Sequence, residues 1–490
     1  MKQRGILGVI CVCLVGCSVG PKYKPPEISL SDQWTLLDIE KSDFCRVEAS
    51  TSWWEVFKEE LLTKYIEKAA VCNHSVLIAE ANIKQARALK KVTASQLFPQ
   101  LLLDFDGSKT YFSKNGPVLA GPSLVQGVSA ITGLPFQLQF PQMQSLYNVL
   151  VDVGWEIDLF GKVRKEIEIK EALIGSSEDE RNKVLISVFA EIAINYMELR
   201  SAQQMGKLLE HTIRLFEEHL IIEEKRRSSG FSKALDLISV ESDLAVARSE
   251  LPLSYAKIYQ SIYAISILIG ELPEHLLSDL LPIQPMPNIP DQIAVGMRSD
   301  LIRRRPDIGK AERLLSAATS NVGVAIAAFF PVFTLSGDLG FQSLKLVNLF
   351  TGMSKTWSIG GDVNMPLFQG GRLIGNLRVS EAQAVAAAQH YQQIVLDALE
   401  ETEGALSKYQ GDLNSYKELN IATQKDTEAC DITTQQYIQG YINGVDRIQS
   451  EKKLNNTLEL ELEVKRDVLI DLIVLYKALG GGFQPFQERN

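Results

Sequence analysis

The chain has 490 residues, 46% hydrophobic and 22% charged, with a formal net charge of −10. That length can bury a large core, and the negative balance excludes a nucleic-acid binder, which needs a basic face. With 33 glycines and 18 prolines the chain is also not of disordered composition.

The first residues read as an export signal. Lys2 and Arg4 form a charged start, Ile6 to Val15 a short apolar stretch, and Gly16-Cys17 its small-residue end, too short for a membrane helix. Leu14-Val15-Gly16-Cys17 resembles the lipobox of bacterial lipoproteins, which implies that Cys17 carries lipid and begins the mature chain. Ser18, rather than aspartate, follows it; under the sorting rule that goes with this resemblance, that favours the outer membrane. No later stretch reaches the roughly eighteen apolar residues of a membrane helix, so any mature span has to be β. Beyond the signal, Cys45, Cys72 and Cys430 are an odd set without metal spacing, expected as buried thiols, although an exported chain permits a disulfide. His74, His211, His219, His275 and His390 are isolated and suggest no metal site.

The expected plan is a signal peptide at 1–16, an extended lipid-anchored arm at 17–50, a first repeat at 51–270, a linker at 271–300, a second repeat at 301–482 and a tail at 483–490. Trp53-Trp54, expected as core, opens a helical region running to about Leu97, which Phe98-Pro99 ends. A strand follows, with Leu101, Leu103 and Phe105 on one face. A long loop at 114–144 leads to a second strand over 147–160, where Val149, Val151, Val153, Trp155, Ile157 and Leu159 alternate with Asp152, Gly154, Glu156 and Asp158. Period-two alternation over about ten residues is the weak signature of a transmembrane strand, apolar towards lipid and polar towards a water-filled lumen.

From Gly161 to Ser229 there is no proline, and Leu185, Val188, Phe189, Ile192, Tyr196 and Leu199 fall at helical spacing, as do Leu209, Ile213, Phe216 and Leu220. A helix of roughly 69 residues reaches about 100 Å. Gly230 breaks it, a second helix runs from about Ser232 to Gly270, and prolines 273, 282, 285, 287 and 290 mark the linker. The order then recurs. Pro306-Asp307 starts a helix, Phe330-Pro331 ends it, and Phe333, Leu335, Leu339 and Phe341 alternate along a strand. A loop near 344–354 leads to Trp357–Gly371, a proline-free run extends to Gln439, Gly440 breaks it, and Gly480 stops the last helix.

Phe98-Pro99 matches Phe330-Pro331 at an offset of 232, whereas Gly161, Gly230, Asp236 and Gly270 match Gly371, Gly440, Asp446 and Gly480 at 210. Constant offsets indicate an internal duplication, each half being helix, two strands, long helix, turn, helix. Four strands cannot close a barrel, for which about eight are needed. Lipid does not tolerate open edges, so the barrel has to be shared between chains.

Several motifs taken together resemble the TolC-like outer membrane factors, in their OprM- and NodT-type lipoprotein branch. These are Cys17-Ser-Val-Gly-Pro-Lys-Tyr, Trp53-Trp54-x-x-Phe57, Trp155-Glu-Ile-Asp-Leu-Phe-Gly161, Arg304-Arg-Pro-Asp-Ile308, Ala327-Ala-Phe-Phe-Pro331, Gly370-Gly-Arg-Leu373 and Leu475-Tyr-Lys-Ala-Leu-Gly-Gly-Gly482. The resemblance implies an α plus transmembrane-β fold, an internally duplicated chain whose long helices form a periplasmic barrel. Its four strands would join those of two other copies in a 12-stranded outer membrane barrel. It further implies a homotrimer embedded in outer membrane lipid, a periplasmic adaptor and an inner-membrane efflux pump as partners, and passive export of small molecules without chemistry or cofactor.

In such channels residues six and nine places after the second turn glycine narrow the pore. Here these are Asp446 and Gln449, with Val445 as an apolar constriction, Lys452 three residues further on and Asp236 as the first-half counterpart of Asp446. Three Asp446 carboxylates in a ring would repel one another and attract cations, as a switchable gate requires. The other reading of Asp446 is a solvated aspartate beside a helix start, favoured by the dipole. The turns at Gly230 and Gly440 also resemble adaptor-docking tips, with Arg226 four residues before the first and Tyr441 after the second; Gln436 replaces the usual arginine in the second half. An outer membrane duct for type I protein secretion has the same architecture. A coiled-coil lipoprotein tether would not explain the strands. An enzyme has no motif here, since Glu156 and Asp158 lie on a strand face where polar residues are expected anyway.

Overall fold

A computed structural model describes residues 18–26, 34, 44–45, 51–115 and 141–486. Cys17 and the signal, most of the arm, the centre of the first loop and the last residues lie outside them.

The first half consists of α1 (Glu60–Cys72), α2 (His74–Ala94), β1 (Gln100–Tyr111), β2 (Met143–Ile157), α3 (Lys162–Ser228) and α4 (Ala234–Leu268). The second consists of α5 (Pro306–Ala327), β3 (Val332–Ser343), β4 (Lys355–Asn364), α6 (Arg372–Ile438) and α7 (Gly444–Ala478). The duplication read from the offsets is exact in length where it matters: α3 and α6 have 67 residues each, and α4 and α7 have 35 each. The matched glycines share a backbone state as well, with φ of 81° at Gly161 and 88° at Gly371, 79° at Gly230 and 78° at Gly440, and 76° at Gly270 and 72° at Gly480. Only glycine enters this left-handed region without strain.

The chain forms two compact units, each drawing on both repeats. The first comprises Met1–Lys24, Arg87–Ala172 and Ser316–Val385. Its centre is one antiparallel sheet in the order β1-β2-β3-β4. The register sets Leu103 against Val151, Val151 against Leu339 and Leu339 against Trp357, and likewise Leu101, Val153, Gly337 and Ile359. Side chains alternate across a strand, so all four strands contribute to one continuous apolar face, with Leu102, Leu146 and Leu150 as exceptions on the opposite side. Leu101, Leu103, Phe105, Leu339, Trp357, Ile359 and Val363 are all exposed there. β1 and β4 each have one edge unpaired among the described residues. At Gly340 a Cβ would lie 2.0 Å from the Val149 carbonyl oxygen, so the β2–β3 approach requires glycine.

The strand-to-helix corner is held by Asp158, whose carboxylate accepts from the Val163 and Arg164 amides at 3.1 and 3.0 Å and caps α3. At the same end of the sheet the Trp155 indole donates to the Leu97 carbonyl at 3.0 Å, and Phe160 stacks on Phe330 at 4.6 Å between centroids.

The second unit comprises Pro25–Ala86, Leu173–Leu315 and Ala386–Asn490. The expected first helical region is broken in two at Asn73. Its side-chain oxygen accepts from the Ser75 and Val76 amides at 2.8 and 3.2 Å, starting α2, while its amide donates to the Leu268 carbonyl at the end of α4. Trp53 and Trp54 are both core: Trp53 stacks on Tyr476 at 5.7 Å and Trp54 meets Phe189 edge-on at 5.5 Å. The periodic residues Leu185 to Leu199 of α3 are buried, as are Ile258, Ile262 and Ile265 of α4. Within α4 stands Pro252, a helix-interior proline that the sequence reading did not register. The linker at 271–300 has structure of its own. It holds a short helix, Leu277–Leu280, and a strand, Ile293–Ala294, that pairs in parallel with Phe44–Cys45. Buried Gln203 donates to the Leu280 carbonyl at 2.7 Å. Two of the three cysteines depart from expectation: Cys72 is exposed and Cys430 half-buried, both free thiols, and burial raises the Cys430 pKa, whereas the Cys45 side chain lies outside what is described. Among the described residues no helix is long and apolar enough to cross a membrane.

Candidate functional site

Two places carry chemistry suited to a conduit. The first is the polar face of the sheet. Asp104 and Asp106 on β1, Asp152 and Glu156 on β2, Asp338 on β3, and Ser358 and Asp362 on β4 share the face opposite the apolar one, and the register sets Asp152 against Asp338 and Asp338 against Ser358. Ser358 donates to the Asp338 carboxylate. Four strands thus carry carboxylates on one side and aliphatic or aromatic side chains on the other, the polarity of a wall between water and lipid.

The second is the pair of helix turns. α3 ends in a Schellman motif: the Phe231 amide donates to the Arg226 carbonyl at 2.8 Å and the Gly230 amide to Arg227 at 3.0 Å. α6 ends the same way, Tyr441 to Gln436 at 2.9 Å and Gly440 to Tyr437 at 3.0 Å. The residue after each glycine is thrown outward, and Phe231 is 79% exposed and Tyr441 78%. Phe231 was not singled out from the sequence, although the offset of 210 from Tyr441 marks it.

The helices that leave the turns are capped differently. Asp236 reaches back to accept from the Lys233 amide at 3.1 Å, and the Ser232 hydroxyl sits 3.4 Å from the same oxygen. In the second turn Asn443 does the capping, accepting from the Val445 and Asp446 amides at 2.8 and 3.0 Å. The Asp446 side chain is therefore not needed as a cap and is exposed, as is Gln449 one turn later, while Val445 is half-buried. Lys452 does not join them. Its ammonium pairs with Asp243 of α4 at 2.6 Å and lies over the Phe216 ring. Arg226 is turned back along its own helix, 3.6 Å from Glu223.

The sequence reading missed a clamp between the two halves of this tip. Arg447 on α7 bonds Glu218 on α3 at 2.9 Å and Glu451 on its own helix at 3.0 Å, and Asn455 donates to Thr212 at 3.1 Å. With Lys452–Asp243, these contacts tie α7 to α3 and α4 just behind the turns. No single-residue pattern announces the links between helices, because Arg447–Glu218, Lys452–Asp243 and Asn455–Thr212 each join positions more than 200 apart in the chain. Among the described residues no group of three or more His, Cys, Asp or Glu side chains is gathered as a metal ion would require.

The outer membrane efflux protein family model matches residues 65–271 and 297–481. The chain is 27% identical over 487 residues to the probable efflux pump outer membrane protein TtgC of Pseudomonas putida, covering 97% of this chain and 95% of that protein. It is 25% identical to the cation efflux system protein CusC of Escherichia coli, covering 97% and 98%. Among solved structures it superposes on the outer-membrane channel OprN with a TM-score of 0.83 at 27% identity, covering 96% of this chain and all of that one. On the Campylobacter jejuni CmeC outer membrane channel the TM-score is 0.81 at 23% identity, covering 95% of each, a likeness of fold. The duplicated helices, the two-faced sheet and the match to most of the chain agree: the protein belongs to the outer membrane efflux protein family, the TolC-like outer membrane channels.

Proposed function

We propose that three copies of this chain assemble into the export duct of a tripartite efflux system, which passes small molecules from an inner-membrane pump and a periplasmic adaptor to the outside. The observation that carries the reading is the open four-stranded sheet with its apolar and carboxylate-bearing faces. Its edges require partners in lipid, and three copies supply twelve strands, a closed barrel with a polar lumen. A conduit of this kind needs no catalytic group.

In this assembly the turns at Gly230 and Gly440 are the docking tips for the adaptor, with Phe231 and Tyr441 as exposed aromatic anchors of the kind that dominate interfaces and Arg226 beside them. Val445, Asp446 and Gln449 of three copies narrow the pore, and the Arg447 and Lys452 ion pairs hold the narrow state by tying α7 to α3 and α4. Cys17 anchors each chain by lipid.

Single-channel recording on the full-length protein in planar bilayers tests this. Wild type is expected to conduct weakly, Asp446→Ala to conduct more, and the pair Arg447→Ala with Lys452→Ala more still. Absence of any conductance overturns the duct, and unchanged conductance in the variants overturns the gate. Cys17→Ser is expected to accumulate with its signal uncleaved, and normal processing of the variant overturns the lipid anchor. Co-purification of the inner-membrane pump decides between efflux and protein secretion.

A further inference from the structure

The loop end of the sheet has a character that a channel wall alone does not require. The register puts the ends of β1 and β3 and the starts of β2 and β4 at one end. Over 107–115, 141–147 and 342–356, the stretches around that end, there are four lysines (Lys109, Lys114, Lys345 and Lys355) and no aspartate or glutamate, in a chain of net charge −10. All four lysines are exposed, and none makes an ion pair among the described residues. The carboxylates of the sheet lie further along the strands, and they face the other side.

The loop between β3 and β4 is built inside out. Its polar groups are spent on one another: the Asn348 carbonyl accepts from the Thr351 hydroxyl at 2.8 Å and from the Ser354 hydroxyl at 2.7 Å, and the Ser343 hydroxyl donates to the Lys345 carbonyl at 2.9 Å. Only Leu349 is tucked beneath, at 3% exposure, while Val347 is 91% exposed, Met353 98%, and Leu344, Leu346 and Phe350 are exposed as well. A self-braced loop in water would turn such side chains in. The Phe350 ring meets the Phe341 ring edge-on at 5.7 Å, and Phe341 stands on the apolar face of the sheet, opposite Val149 and Lys355. The exposed apolar loop is therefore continuous with the face assigned above to lipid, and by alternation Lys109 and Lys355 stand on that same face at its rim.

We propose that this rim is a binding surface for a phosphorylated, multi-acyl lipid of the membrane leaflet at that end of the strands. Lys345 and Lys355 take the phosphates, with Lys109 and Lys114 alongside, and Leu346, Val347, Phe350 and Met353 take the acyl chains. The proposal deepens the duct reading and rests on its assignment of the apolar face to lipid. Charge selects the occupant: a zwitterionic lipid would leave four unpaired cations at the interface, whereas a bis-phosphorylated one neutralises them through charge-assisted bonds.

The test is native mass spectrometry of the full-length protein in detergent, titrated with bis-phosphorylated hexa-acyl lipid A, with its dephosphorylated form and with phosphatidylethanolamine. Wild type is expected to retain the phosphorylated lipid at concentrations at least tenfold lower than the other two. Lys345→Gln with Lys355→Gln is expected to abolish that preference, and Val347→Ser with Met353→Ser, both surface changes, to weaken retention of all three. Equal retention of the three lipids by wild type, or an undiminished preference in the lysine variant, overturns the proposal. Planar-bilayer conductance of the wild type is recorded in parallel. Its absence counts against the duct, whereas the lipid titration needs no pore and decides the rim by itself.

Discussion

Arg305 bonds Asp307 at 2.7 Å, Glu401 of α6 at 2.6 Å and the carbonyl of Ala478, the last residue of α7, at 2.8 Å, so one guanidinium joins the start of α5 to both helices of the second hairpin. Burial alone would raise the Asp307 carboxyl, but the Arg305 bonds outweigh it and hold it below the usual carboxylate range. Its contribution to stability is thus present above the ordinary carboxylate pKa and is lost as pH falls. Arg305→Ala leaves two carboxylates and a carbonyl without their partner, and thermal unfolding in detergent should show a loss of about 3 kcal/mol. Asp179 has the opposite sign. Burial raises its carboxyl, Arg313 pulls it back, and Glu178 and Glu312 add to the rise, bringing it to about 6. The fold favours the protonated form, so stability is full below about pH 4, the ordinary value, and is lost as pH rises through about 6. The unfolding free energy of Asp179→Asn relative to wild type should therefore move in favour of the variant across that window, by on the order of 2 kcal/mol. The Arg304-Arg-Pro-Asp motif was legible as a family signature, but its partners were not, because Glu401 and Ala478 lie 96 and 173 positions away. The same holds at the tip. Asp446 could be found by counting from a glycine, whereas the engagement of Lys452 with Asp243 depends on a helix from the other repeat.

At the scale of elements, the turns were the most legible feature, because glycine with φ near 80° is a backbone requirement that the residue type itself states. At Gly230 and Gly440 an added Cβ would meet nothing within 4 Å. Substitution by alanine there should cost only the left-handed backbone strain, about 1 kcal/mol each, read as a small drop in melting temperature without loss of assembly. Gly340 is the contrast. Its φ is ordinary, but a Cβ 2.0 Å from the Val149 carbonyl forces β3 away from β2, and Gly340→Ala should abolish folded channel in detergent extracts. The sequence alone does not separate these two kinds of glycine. Nor did it show the break at Asn73, where no proline or glycine stands: a capping side chain ends one helix and starts the next, and only its bonds reveal it. Pro252 is the opposite case: a proline alone would signal a stop, yet the apolar spacing carries the expected helix from about Ser232 to Gly270 through it, and α4 runs through it.

At the scale of the whole molecule, strand count and face polarity give different kinds of information. Polarity was readable from alternation, strand by strand, but it says only that a wall exists. The count, four strands joined in one sheet with both edges unpaired among the described residues, says that the wall is incomplete. Each edge strand leaves a row of amides and carbonyls without partners, and in hydrocarbon each such group costs several kcal/mol. A lone chain in a bilayer is therefore strongly disfavoured, and in the proposed trimer the deficit is removed by pairing β4 of one copy with β1 of the next around a closed ring. Purified in mild detergent, the protein should have the mass of three chains by light scattering, with no monomer at dilution. A cysteine placed on β1 and another on β4, in chains where Cys45, Cys72 and Cys430 are replaced by serine and Cys17 is kept, should form disulfides between copies and none within one, since β2 and β3 stand between those strands in a single sheet. A monodisperse single chain, or cross-links confined to one copy, would show that the sheet closes in some other way and would remove the basis for a shared barrel.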